Sequence, residues 1–288
     1  MDPAFLDQPL IECACNRNKN NPIIRFGMIA DPHYARREMY INRYYYAAIE
    51  KVQQAVNIFN RNSLNFIIEL GDLKDMGIHP HWNETMSFLD EIEAELQKFD
   101  GPVYHVMGNH DMDSISKKDF LSHTVNYNTT KDKEYYSFII NNVKFIVLDA
   151  NYNPDGTNYD RGNYDWTASF IPAVQLAWLI NELNCNYPVV IFVHQLLDSF
   201  SKINQDHFIL NAAETRYILE NNGQVLAVFQ GHYHIGSYSM FHNIHYYTLS
   251  GMVENPLPIN SFAIVEIYKD FRINIQGFGM AKSYDLIK

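Results

Sequence analysis

Cysteine is scarce in this chain, positive charge is in short supply, and no apolar stretch is long enough to span a bilayer. The three cysteines, Cys13, Cys15 and Cys185, make no disulfide framework. The first two lie too close together for an easy bridge and have no second pair with which to build a zinc site, so the redox compartment stays open. Lys and Arg number 22 against 33 Asp and Glu, and a net charge of −11 argues against a broad nucleic-acid-binding face. Internal repeats and low-complexity blocks are also missing, which excludes solenoids and arrays. What remains is a chain of 288 residues, 47% hydrophobic, that can bury a large core as one α/β domain.

Residues 1–21, with the run Asn16, Arg17, Asn18, Lys19, Asn20, read as a flexible leader. Its first five residues fit a cloning remnant, and the polar stretch after Cys15 fits a trimmed export segment; no intact signal peptide is visible. Residues 22–288 then form the working domain, in the cytoplasm or in a processed exported protein. The sequons at Asn83 and Asn128 are short enough to arise by chance.

Five apolar runs end alike. Residues 23–30 lead into Asp31-Pro32-His33, 65–70 into Gly71-Asp72, 103–107 into Gly108-Asn109-His110-Asp111, 189–193 into His194, and 225–229 into Gly231-His232-Tyr233-His234. Each run reads as a buried strand, and each delivers Asp, Asn or His at its carboxyl end. That edge of an open α/β sheet is where loops converge on a binding crevice.

Between these runs the pattern alternates. Ile41, Tyr45, Ala48, Ile49, Val52, Val56 and Phe59 recur at helical spacing, as do Trp82, Met86, Leu89, Ile92, Leu96 and Phe99. Residues 136–148 read as a β-hairpin turning at Asn141-Asn142, and 151–170 as a long loop over the site. Pro172 opens one helix; Asn211, with Glu214 three residues on, caps another that stops before Gly223. Strand-like runs at 244–249, 262–267 and 273–276, with no helix between them, predict an antiparallel close to the sheets. Together these elements imply two sheets packed face to face with helices outside.

Asp31, His33, Asp72, Asn109, His194, His232 and His234 are seven oxygen and imidazole donors without a thiolate, a set suited to manganese, iron or zinc. A single cation takes roughly four to six ligands, so seven, with one carboxylate shared, fit two. Two cations roughly 3.5–4 Å apart clamp the attacking and leaving oxygens of an in-line displacement at phosphorus. Hydrolysis of a phosphate ester or anhydride is the chemistry expected.

In this order, Asp31-x-His33, Gly71-Asp72, Gly108-Asn109-His110-Asp111, His194 and Gly231-His232-x-His234 resemble the motif blocks of the calcineurin-like metallophosphoesterase superfamily. The resemblance spans about residues 24–235 and implies a four-layer αββα sandwich of two mixed sheets. It further implies that Asp31, His33, Asp72 and His234 hold a first metal and Asp72, Asn109, His194 and His232 a second. A water shared by the two cations is then the nucleophile. His110 acts on the phosphate without binding metal, and Asp111 orients it. A narrower similarity, to manganese-dependent ADP-ribose and CDP-alcohol diphosphatases, rests on Phe26-Gly27-x-Ile29-Ala30-Asp31, Arg43-Tyr44-Tyr45, Leu148-Asp149-Ala150, Gln175-x-x-Trp178-Leu179, Gly236-x-Tyr238 and Gly251-Met252-Val253-Glu254. It implies manganese and a small nucleotide-derived substrate cleaved at a phosphodiester or pyrophosphate bond.

Taken singly, Asp31 reads as well as a helix cap, Asp72 or Asn109 as a turn residue, and His194 as a core histidine. Their joint order outweighs that reading. The other histidines, His105 and His207 among them, sit in no motif, and Lys74, Asp75 and Glu254 are no more than candidate rim residues. Two alternatives stay open: a phosphomonoesterase or cyclic-nucleotide phosphodiesterase on the same metals, and a non-catalytic scaffold.

Overall fold

The structure, a computed structural model, describes residues 21–130, 132–199 and 203–287. Most of the expected leader therefore lies outside the described residues, with Cys13 and Cys15.

Among the described residues, twelve strands make two six-stranded sheets. The first uses β1 (Ile24–Ile29), β2 (Phe66–Glu69), β3 (Val103–His105), β10 (Ser261–Ile267), β11 (Ile273–Gly279) and β12 (Tyr284–Leu286), in the order β12-β11-β10-β1-β2-β3. The second uses β4 (Tyr136–Ile140), β5 (Val143–Val147), β6 (Val189–Phe192), β7 (Val225–Gln230), β8 (Ser237–Phe241) and β9 (Ile244–Thr248), in the order β4-β5-β6-β7-β9-β8. Both are mixed: β1, β2 and β3 run parallel, as do β5, β6, β7 and β9, while hairpins close the margins antiparallel.

Alternating side chains explain the layers. Phe26 and Met28 on β1, Phe66 and Ile68 on β2, and Val143, Phe145 and Val147 on β5 point into the space between the sheets. There Phe26 stacks on Phe66 with centroids 4.8 Å apart. The opposite set, Ile29, Ile67 and Val103, meets helices α1 (Ala48–Asn60), α2 (Trp82–Leu96) and α3 (Lys117–His123). On the second sheet Ile146, Val189 and Ile191 meet α4 (Ala173–Leu183) and α5 (Ala212–Asn222). Period-two strands with both faces buried require a layer on each side, and the result is the αββα sandwich.

Local chemistry sets the boundaries. Asn141 and Asn142 (φ 47° and 63°) make the left-handed turn that the β4–β5 hairpin needs, and Gly223 (φ 74°) ends α5. Asn211 precedes α5, but its side chain brackets Ile171, accepting from N at 3.0 Å and donating to O at 2.8 Å, instead of capping the helix. Three expectations change. Ile41 stands before α1, exposed and left-handed, not within it. The sequence reading missed β8, β12 and the seven-residue α3, whose capping box joins Ser116 and Asp119. The run at 244–249 pairs in parallel with β7, because the β8–β9 hairpin carries the chain out and back. Among the described residues no helix is long and apolar enough to cross a membrane.

Candidate active site

Left-handed backbone lets the strands release their polar residues toward one place. Asp31 (φ 53°), His33 (φ 48°), Asp72 (φ 58°) and His232 (φ 65°) all carry it, in a region where Asp, Asn and His are enriched among non-glycine residues. The turns are stitched to one another: Asp31 N donates to Gly71 O (3.1 Å), His33 N to Asp72 O (2.9 Å), and Gly231 N to His194 O (3.1 Å). Close approach also needs glycine. A Cβ on Gly71 would lie 2.4 Å from His194 Nδ1, and one on Gly108 2.2 Å from Asp72 Oδ1.

The histidines share one design. His33 Nδ1 lies 3.2 Å from Asp75 Oδ2, His234 Nδ1 2.6 Å from Glu254 Oε1, and His194 Nδ1 2.8 Å from Leu70 O. With each Nδ1–H donated to an oxygen, Nε2 is left as a lone pair. Those lone pairs converge on more negative atoms. His33 Nε2 is 3.2 Å from His234 Nε2 and 3.4 Å from Asp72 Oδ2; His234 Nε2 is 3.3 Å from Asp31 Oδ1; His194 Nε2 is 3.2 Å from Asp72 Oδ2. Asp31 Oδ2, Asn109 Oδ1, His194 Nε2 and His232 Nε2 are buried with no hydrogen-bond partner. Acceptors facing acceptors in a buried space require a cation or a proton between them.

Two of the resulting donor clusters are Asp31, His33 and His234, and Asp72, His194 and His232, with donor atoms within 4.8 Å inside each. Asp72 Oδ2 reaches histidines of both, and Asn109 Oδ1 is buried without a partner. Six of the seven expected donors therefore meet in these clusters, and Asn109 lines the cavity beside them. Oxygen and imidazole without sulfur fit manganese, iron or zinc.

Charge follows the same geometry. Burial opposes ionisation of Asp31 and Asp72, yet His234 beside the first and His194 beside the second hold both carboxyls below the ordinary range. Burial takes His33 down to about 4 and His232 well below its usual value, leaving both rings neutral. His194 is carried up to about 10, against burial, by Asp72 and Asp31. Carboxylates that would keep a proton on Nε2 would equally keep a metal ion there.

His110 lies beside this set. Burial disfavours its charge, but Asp75 and Asp72 outweigh that and raise it to about 9. Its Nδ1 is 3.3 Å from Asp75 Oδ2, the same oxygen that faces His33. Asp111, expected to orient His110, does something else. Its oxygens accept the backbone N–H groups of Gly108 (2.8 Å), Asp72 (3.0 Å) and Leu73 (3.0 Å), which ties two motif loops together. The physical reason is the 3-10 turn His110–Met112, which sends consecutive side chains in different directions. Asp75 is thus the residue the sequence reading underused; its signal was the spacing Asp72-x-x-Asp75. Lys74, fully buried, donates to His110 O (2.6 Å) and Asp113 Oδ1 (2.5 Å) and fixes the same turn.

A cavity of about 640 Å³ opens over these groups, lined also by Arg37, Arg43, Trp166 and His207. Arg37 stacks on Tyr45, 4.5 Å from its ring centre. Trp166, on the loop expected to cover the site, packs against His207 and His232 at 5.5 and 5.8 Å.

Residues 24–236 match the family model for calcineurin-like phosphoesterases. The chain belongs to that family. As a calcineurin-like phosphoesterase it is a metal-dependent hydrolase of phosphoric esters or anhydrides. It is similar to the manganese-dependent ADP-ribose/CDP-alcohol diphosphatase of Oryza sativa subsp. japonica, 27% identical over a gapped alignment of 295 positions that covers 88% of this chain and 91% of that protein. The Arabidopsis thaliana protein of the same name is 26% identical, covering 92% of this chain and 97% of its own length. In fold it resembles a dimetal phosphatase from Danio rerio, with a TM-score of 0.80 at 23% identity, covering 92% of this chain and 99% of that one.

Proposed function

We propose that this phosphoesterase uses two manganese ions to cleave a phosphodiester or pyrophosphate bond in a small nucleotide-derived substrate of the ADP-ribose or CDP-alcohol type. The observation that carries the reading is the convergence of Nε2 lone pairs on Asp31 and Asp72 once the Nδ1 atoms of His33, His194 and His234 are tied to oxygens. Asp31, His33, Asp72 and His234 would hold one ion; Asp72, Asn109, His194 and His232 the other. The names of the rice and Arabidopsis relatives, each matched over about nine-tenths of its length, supply manganese and the substrate class.

When bound, the cations lower the pKa of water and neutralise phosphate oxygens. The remaining work belongs to the chain. His110, cationic and anchored by Asp75, presents Nε2–H to a phosphate or leaving-group oxygen. The guanidinium groups of Arg37 and Arg43 offer counter-charges for a second phosphate at the cavity wall. Neutral His33 and His232 are ready to donate lone pairs without first losing a proton.

The test is product analysis. Metal-stripped protein, reloaded with manganese, is incubated separately with ADP-ribose, CDP-choline, a cyclic nucleotide, a simple diester and a monoester. AMP from ADP-ribose or CMP from CDP-choline at the highest rate is expected. Preference for the monoester, diester or cyclic nucleotide would overturn the substrate class and keep the metal reading. No metal-dependent turnover on any of them would overturn both.

A further inference from the structure

Lys51 is a fully buried lysine that belongs to none of the motifs. From α1 its ammonium donates to Met252 O and Asn255 O, both at 2.5 Å. These carbonyls flank Glu254. The same segment is held from other sides, where Met252 N donates to Ala30 O (2.9 Å), Val253 N to Asp31 O (3.1 Å) and Tyr44 N to Val253 O (2.8 Å). A lysine spends the desolvation of its charge here on two main-chain oxygens, which makes the geometry of this turn unusually well fixed. The product of that fixing is one contact: Glu254 Oε1, half-buried, 2.6 Å from His234 Nδ1.

We propose that Lys51 and Glu254 are positioning residues for a single ion of the pair, acting through His234. Lys51 clamps the 252–255 turn; the turn sets the Glu254 carboxylate; and the carboxylate accepts Nδ1–H and fixes the tautomer that turns the Nε2 lone pair toward Asp31 and His33. The proposal rests on the metal reading above. The other cluster differs in this respect, because its His194 is anchored at Nδ1 by the Leu70 carbonyl and not by Glu254. The chemistry is that of a carboxylate–histidine–metal triad, whose outer member raises ligand basicity and sets ring orientation.

Equilibrium dialysis against manganese, with bound metal counted by mass spectrometry, reads the effect directly. Wild type is expected to bind two ions. Glu254→Ala should weaken one of them roughly ten- to a hundredfold and leave the other nearly unchanged, with turnover recovered at saturating manganese. Glu254→Gln, whose amide oxygen still accepts Nδ1–H, should keep most of the affinity. Lys51→Met should weaken the same ion with Glu254 intact, and the double variant should be no weaker than the worse single one, since both act through one contact. Glu254→Ala with two wild-type affinities overturns the proposal, and so does equal weakening of both ions with a lowered thermal midpoint. Wild type that binds no manganese overturns the metal reading and the proposal with it. Should Lys51→Met fail to fold, the Glu254 pair decides the matter alone.

Discussion

Two clusters of buried histidine and carboxylate, one fed by both sheets and one at the first sheet, are built oppositely. In one, histidines that follow β6 and β7 are tied at Nδ1 and leave Nε2 facing Asp31 and Asp72 at the carboxyl ends of β1 and β2. In the other, His105 on β3 sits between Glu69 and Glu93, with Nδ1 3.5 Å from the first and Nε2 3.1 Å from the second. There both ring nitrogens point at carboxylates. Backbone and amide donors complete the compensation, from Gly71 N to Glu69 and from Val125 N and Gln97 to Glu93. Burial opposes charge on His105, but Glu93 and Glu69 outweigh it and raise the ring to about 10. His105 Nδ1 and Nε2 and the Oε2 atoms of Glu69 and Glu93 also make no hydrogen bond, but there a protonated ring lies between two carboxylates, whereas in the first cluster several Nε2 atoms converge on the same carboxylates. Density of charged residues does not separate a structural ion cluster from a cation site; the direction of the free nitrogen does.

This contrast can be broken at either end. The largest effect belongs to His110→Ala, expected to lower kcat by about 10²- to 10⁴-fold while two manganese ions stay bound. Loss of metal in that variant would make His110 a ligand. Asp72→Asn should weaken both ions together, by more than the roughly 100-fold that loss of an outer hydrogen-bond partner costs, as read in the same dialysis experiment; weakening of one ion alone removes the shared carboxylate. His105→Ala leaves two carboxylates buried without their cation and should cost about 3–5 kcal/mol in urea unfolding, with manganese affinity unchanged. Stripping the metals should lower stability by about 2.7 kcal/mol for each of the two ions, relative to protein in manganese at a hundred times the dissociation constants, an effect the His105 cluster cannot produce.

The smallest effect is a pH profile. His105 is raised from 6.5 to about 10 in the folded chain, so its contribution is whole below pH 6.5 and is lost as pH rises through 10. Glu69, pushed up by burial to about 7, acts with the same sign between its ordinary 4.5 and 7. The stability gap between wild type and His105→Ala should therefore narrow from pH 6.5 to 10. A constant gap would mean that His105 is neutral where it lies.

The sequence pattern was most legible where one residue both ends a strand and carries a ligand. Apolar runs of period two, broken by Asp31, Gly71-Asp72 and Gly231-His232, register in composition and in conformation at once. Partners reached across the fold left no such trace. Asp75 meets His110 from 35 positions away, and Glu254 meets His234 from 20. Asp111 stood next to His110 in the chain, yet the 3-10 turn aims it at backbone. Gln175 and Asp149, noted for resemblance alone, prove to be joined: Gln175 accepts from Asp149 N at 2.9 Å and donates to Asp149 O at 2.7 Å. The edge strand β8, with half-buried Ser237, Tyr238 and Ser239, lacked an apolar face strong enough to announce it.

The left-handed backbone at Asp31, His33, Asp72 and His232 has a consequence for mutational drift. A β-branched residue placed there is rejected on steric grounds, whatever its chemistry. The residues this conformation tolerates best are glycine, asparagine, aspartate and histidine, and glycine apart each of them can ligate a metal ion. Random substitution at these positions is thereby filtered toward side chains that still bind, so the loops can exchange one ligand for another, and retune which metal they prefer, without first being rebuilt.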